Sequence, residues 1–197
     1  MGLDGLELLM RIESYFQIEI SDSEAAEIFT VSDLIHCIKG KIQPGKSDHC
    51  LGQELFYRIR QYFIQEKGFL KEQLTPQTKL FEILGNDRTH TWKSLAEYIG
   101  MRLPKLNYLD THPEAPEQIA VFGVRMWSRK KPLTEGVVSD LVYWIMALQY
   151  KELFKPGLHF MDKDLEAITI GIIHDTLGVP VDEIDPAKSI VRDLGIE

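Results

Sequence analysis

The stretch "EIDPAKSIVRDLGIE", residues 183–197, repeats the design of "QLTPQTKLFEILGND", residues 73–87, at a constant offset of 110. Pro76 meets Pro186, Leu84 meets Leu194, Gly85 meets Gly195, and upstream Gly68 meets Gly178. A turn former precedes each proline (Thr75, Asp185), and the apolar pair Leu80-Phe81 coincides with Ile190-Val191. A second match lies elsewhere in the chain. "TVSDLIHCI", residues 30–38, and "VVSDLVYWI", residues 137–145, share Val-Ser-Asp-Leu and the closing Ile at an offset of 107. Two units of one design are therefore expected, and a repeat outranks local guesses when architecture is assigned.

The unit over residues 53–153 reads in direct order. Its first helix sets Leu55, Phe56, Ile59 and Phe63 against Glu54, Arg58, Gln61 and Gln65, both at helical spacing, and stops near Gly68. A Pro76 loop follows, then a helix from about Thr91 to Pro104, an insertion over 104–133 and a last helix over 135–154. The other unit is divided between the chain ends. Its first helix, with Leu165, Ile168, Ile172 and Ile173 inward, lies near the C-terminus, and its remaining helices open the chain. There, Asp4, Glu7, Arg11 and Ser14 form a polar stripe. Leu6, Leu8, Leu9, Ile12 and Phe16 are left as an apolar arc broad enough to need partners on more than one side. After a short acidic segment, Thr30-Val31-Ser32-Asp33 is a capping box opening a helix to about Lys41, before Pro44-Gly45. The expected fold is all-α: two four-helix bundles, one from residues 1–42 plus 157–197 and one from 53–153. Residues 191–197 then find their continuation in Met1 onward, within one molecule as a monomer or from a second as a domain-swapped dimer.

Composition bounds the function. In 197 residues, 44% hydrophobic and 26% charged, the formal net charge is −8, which disfavours nucleic acid as a partner and favours a basic protein. No apolar run approaches the roughly 20 residues of a membrane span. The two cysteines are too few for a disulfide framework, so a cytoplasmic location is expected.

Joined end to end, "IIHDTLGVPVDEIDPAKSIVRDLGIE" (172–197) and "GLDGLELLMRIESYFQIEISDSEAAEIFTVSDLIHCI" (2–38) resemble an acyl carrier protein from its first helix to its fourth, circularly permuted at one loop. The central unit resembles the family more weakly. The resemblance implies two acyl-carrier-like bundles. It also implies a serine after the Asp-Leu-Gly loop carrying a 4′-phosphopantetheine arm, at a helix N-terminus whose unpaired N–H groups favour a phosphate. Here the aligned position is Gly2 in one unit and Arg88-Thr89 in the other, without serine. No cofactor is expected. The resemblance further implies a docking face for basic partners, with Asp4, Glu7, Glu13, Glu24 and Glu27 as its acidic residues, although Arg11 interrupts it and a solvated helix surface would look similar.

The pairs His36-Cys37 and His49-Cys50 do not read as a zinc site, because neighbours on a helix point about 100° apart. Cys37 reads as a small core hydrophobe. No metal site is expected, and no nucleophile has a recognisable base, so enzymatic activity is not expected. The insertion, with "IAVFGVRMWSRKK" at 119–131, reads as a cover for the bundle or as a partner-binding element, and Trp92, Trp127 and Trp144 as packing residues. The expected function is a non-catalytic interaction module on a carrier scaffold without a prosthetic group. The alternatives are a genuine carrier whose serine lies in a reading frame continuing past Glu197, and an enzyme of unidentified class using the insertion and nearby histidines.

Overall fold

A computed structural model describes residues 3–42, 50–115, 118–121, 124–128, 131–155 and 160–190, with the side chains of 118–128 left aside. Its helices are α1 (Leu3–Phe16), α2 (Asp22–Ala25), α3 (Val31–Lys41), α4 (Leu51–Lys67), α5 (Leu80–Leu84), α6 (Arg88–Ile99), α7 (Tyr108–Thr111), α8 (Val138–Leu148), α9 (Tyr150–Leu153) and α10 (Asp162–Leu177). Among the described residues the architecture is helical apart from one antiparallel hairpin inside the insertion, β1 (Gln118–Val121) and β2 (Val124–Ser128). The chain divides into two compact units: Met1–Cys50 with Tyr143–Glu197, here the terminal unit, and Leu51–Val142, the middle unit.

In the terminal unit α1 and α3 pack on α10. Leu8, Ile12 and Phe16 of α1, Val31, Leu34 and Ile38 of α3, and Leu165, Ile168, Ile172 and Ile173 of α10 are buried. The two ends of the chain are also joined by backbone hydrogen bonds. Ile190 N–H donates to Phe29 O (2.9 Å), Val31 N–H to Lys188 O (3.1 Å) and Ser32 N–H to Pro186 O (2.8 Å). These bonds occupy two of the N–H groups that a helix start leaves unpaired. The Thr30–Asp33 capping box adds to the seal: Asp33 N–H donates to Thr30 Oγ1 (3.1 Å) and Thr30 N–H to Asp33 Oδ2 (2.8 Å). The Thr30 bonds, side chain first, hold the Asp33 carboxyl below its ordinary pKa.

The middle unit makes four of these five bonds, Val137 having no hydroxyl to match that of Thr30. Leu80 N–H donates to Gly136 O (3.0 Å), Val138 N–H to Thr78 O (3.0 Å), Ser139 N–H to Pro76 O (2.9 Å), and Val137 N–H to Asp140 Oδ2 (2.9 Å). Every donor and acceptor differs from its counterpart by 110 or 107, the offsets read in the sequence. Gly68 and Gly178 likewise share a positive φ (72° and 69°) just beyond α4 and α10, a left-handed turn that a side chain would strain.

Two features depart from expectation. The expected final helix over 135–154 is a 3-10 turn (Leu133–Glu135), then α8 and α9 separated by Gln149. In addition, Tyr143 onward belongs to the terminal unit rather than the middle one. The physical reason is a notch at Gly171 of α10: a Cβ there would collide with Ala147 O and the Tyr150 ring. Tyr15 Oη donates to Phe154 O (2.9 Å), and Tyr150 Oη to Asp175 Oδ2 (3.2 Å), fixing α9 between α1 and α10. The α10 helix is consequently buried on all sides, from Asp164 and Leu165 through Ala167 to Ile173.

Candidate functional site

The start of α6 is where the resemblance would place an arm. Asp87 caps it, accepting from His90 N–H (3.1 Å), and Arg88 Nη1 donates to Asp110 O (3.0 Å). Thr89 is exposed. Asp110 is fully buried, with its carboxylate taking Asn107 N–H and Thr134 N–H (2.8 Å each). Trp92 Nε1 donates to Pro104 O (2.9 Å). Arg88 thus ties α6 to α7, and the first part of the insertion is held against α6. Gly2 and Glu197 lie outside the described residues.

The acidic residues of the terminal unit differ in their commitments. Glu7 binds Arg11 through two guanidinium nitrogens (2.7 and 3.0 Å). Glu13 accepts Ile20 N–H (2.7 Å) and so braces the chain after α1. Glu24 pairs with Lys41 Nζ (2.6 Å) and with Ser21, and these bonds, Lys41 foremost, hold its pKa down to about 2. Asp4 and Glu27 are exposed, and among the described residues neither has an ion-pair partner.

Apolar exposure on α1 takes in Leu6, which the sequence places inside the arc, together with Leu3 and Met10, which lie outside it. Gly5, Leu8, Ile12 and Phe16 form the buried stripe, whereas Leu3 (86%), Leu6 (55%) and Met10 (60%) are exposed at spacings of three and four residues. They share one outward face, beside Asp4 and Glu7. Periodicity alone could not separate the two apolar stripes, because each satisfies a helical repeat. Aligning the buried pair Leu8 and Ile12 with Leu95 and Ile99 of α6 sets Leu3, Leu6 and Met10 opposite His90, Lys93 and Glu97. Those three are exposed, and Lys93 pairs with Glu97 (3.9 Å). One fold position therefore carries an apolar stripe on α1 and a charged one on α6.

His49 lies outside the described residues. Cys50 is exposed, and burial pushes the half-buried Cys37 thiol above its ordinary pKa. Among the described residues no group of three His, Cys, Asp or Glu is placed to hold a metal, and no helix is long and apolar enough to cross a membrane. Of the tryptophans, Trp92 is buried and Trp144 half-buried.

The chain is 45% identical over 39 residues to an acyl carrier protein of Campylobacter fetus subsp. fetus (strain 82-40), a match covering 20% of this chain and 51% of the relative. The chain spans about half the length of that relative, and the likeness is partial. No family model and no solved structure matches the chain.

Proposed function

We propose that this chain is a non-catalytic interaction module on a carrier-like scaffold, docking a protein partner through α1 and working without a phosphopantetheine arm. The observation that carries the reading is the exposed stripe Leu3, Leu6 and Met10 at a position where α6 carries charge. The fold does not require apolar residues there, and each large side chain left in water forfeits about 1.5–3 kcal/mol relative to burial. Asp4, beside the stripe, gives the partner surface its basic character. The split of the scaffold between the two chain ends reads as a circular permutation, supported by the paired bonds at offsets 110 and 107. The absence of serine at residues 2, 88 and 89 supports the armless reading.

The test is capture of partner proteins by the full chain, compared with Leu6→Glu and Asp4→Lys. Both residues are exposed, so neither change disturbs the core. Loss of the same partner with Leu6→Glu, and weakening with Asp4→Lys, is the expected result. Capture indifferent to both would remove α1 as the docking helix. The carrier reading keeps one specific support, the 39-residue likeness to an acyl carrier protein, and predicts instead that the chain accepts the arm.

A further inference from the structure

The outward side of α4 is a second surface. Helices α4 and α10 correspond at the offset of 110, and they bury corresponding inner positions: Leu55, Ile59, Tyr62 and Phe63 against Leu165, Thr169, Ile172 and Ile173. At 3.6 residues per turn, Ala167, Ile170 and Gly171 fall on the opposite side of α10. There they are buried, with Ala147 and Tyr150 seated against Gly171. The corresponding residues of α4 are Tyr57, Arg60 and Gln61, with Ile64 one turn on. Tyr57 is 46% exposed, Ile64 is 36% exposed, and Gln61 is exposed.

The two connections differ in sequence. Seven residues, 149–155, separate α8 from Pro156-Gly157 and include α9, whereas only Ile42 and Gln43 separate α3 from Pro44-Gly45. The open face is also ordered. The Arg60 guanidinium lies over the rings of Phe56 (5.2 Å) and Tyr57 (4.7 Å), and Gln53 Nε2 donates to Tyr57 Oη (2.9 Å). Among the described residues no carboxylate pairs with Arg60. A stacked arginine beside tyrosine is pre-organised for binding, since part of the ordering cost of its side chain is already met. These are also the residue types that dominate binding energy at protein interfaces.

We propose that this face of α4 docks an amphipathic helix of a partner protein, which lays an apolar residue against Tyr57 and Ile64 and presents a carboxylate to Arg60. In the terminal unit the chain fills the equivalent face itself, with the end of α8 and α9. The probe is a peptide of residues 143–155 carrying Lys151→Glu, which retains the helix that fills the α10 face and adds an acid. It is titrated into the full chain, with affinity read by fluorescence anisotropy and location by hydrogen exchange.

The expected result is added protection over 51–67 and a loss of affinity of tenfold or more for Arg60→Glu and for Tyr57→Ala. Leu6→Glu should leave this binding unchanged, which separates the α4 face from docking at α1. Absence of binding, indifference to Arg60→Glu, or protection confined to α1 or α10 would overturn the proposal. Sedimentation without peptide supplies the remaining outcome. A concentration-dependent dimer abolished by Arg60→Glu would overturn the partner assignment and give the face to a second copy, whereas a monomer supports it.

Discussion

Three residues convert local chemistry into measurable stability. Gly171 admits Ala147 O and Tyr150 onto α10, and any side chain there must push a backbone oxygen aside. Gly171→Ala should cost about 1–3 kcal/mol, the usual penalty of overpacking, read as a lower urea midpoint at unchanged slope. Tyr143 makes the opposite case. Its hydroxyl is buried with no hydrogen-bond partner among the described residues, and burial, with Glu166 nearby, raises its pKa. An unsatisfied buried hydroxyl costs about 1–3 kcal/mol, so Tyr143→Phe should leave stability unchanged or increase it. Asp164 supplies a pH dependence. Burial raises its pKa above the ordinary 3.8, against a smaller lowering by the Met161 N–H bond. A carboxyl whose folded pKa lies above its unfolded one favours the folded state at low pH, and that contribution is lost as pH rises through the folded value. The advantage of Asp164→Asn over the native chain should therefore grow from acid towards neutral pH. A difference that is flat with pH, or shrinks as pH rises, would refute this assignment.

At the scale of elements, the sequence was legible where a residue type has one physical use. Thr30-Val-Ser-Asp and Val137-Val-Ser-Asp announce helix starts, and the proline loops at Pro76 and Pro186 receive them through the same backbone bonds. Gly68 and Gly178 mark helix ends because only glycine takes that φ without strain. Legibility failed where one pattern serves two surfaces. Leu3, Leu6 and Met10 share the helical repeat with Leu8 and Ile12, and only packing shows which stripe is inward. Acidic residues were ambiguous for a related reason. Glu13 and Glu24 are spent on Ile20 N–H and Lys41, contacts between residues well separated along the chain. By sequence, the α9 segment continues the expected last helix of the middle unit. The Gly171 notch that receives Tyr150 lies on α10, in another helix.

At the scale of the molecule, charge is unevenly shared. The terminal unit holds nine Lys and Arg against nineteen Asp and Glu, and the middle unit thirteen against eleven. An acidic unit steers basic partners over a Debye length of about 8 Å at physiological salt. Capture through α1 should weaken as salt rises, yet only modestly, because Glu7, Glu13 and Glu24 are already engaged. The chain ends must also depend on one another. A chain lacking 162–197 loses the partner of Leu8, Ile12, Val31 and Leu34, and should lose hydrogen-exchange protection over residues 3–41.

The central claim, a carrier-like scaffold that works without an arm, is tested most directly by mass. The full chain is incubated with a promiscuous phosphopantetheinyl transferase and coenzyme A, and its intact mass is measured. The account predicts no change, since the carrier resemblance aligns Gly2, Arg88 and Thr89, none of them serine, with the arm-bearing position. Addition of one arm, mapped to Ser94, Ser189 or Thr89, would contradict it.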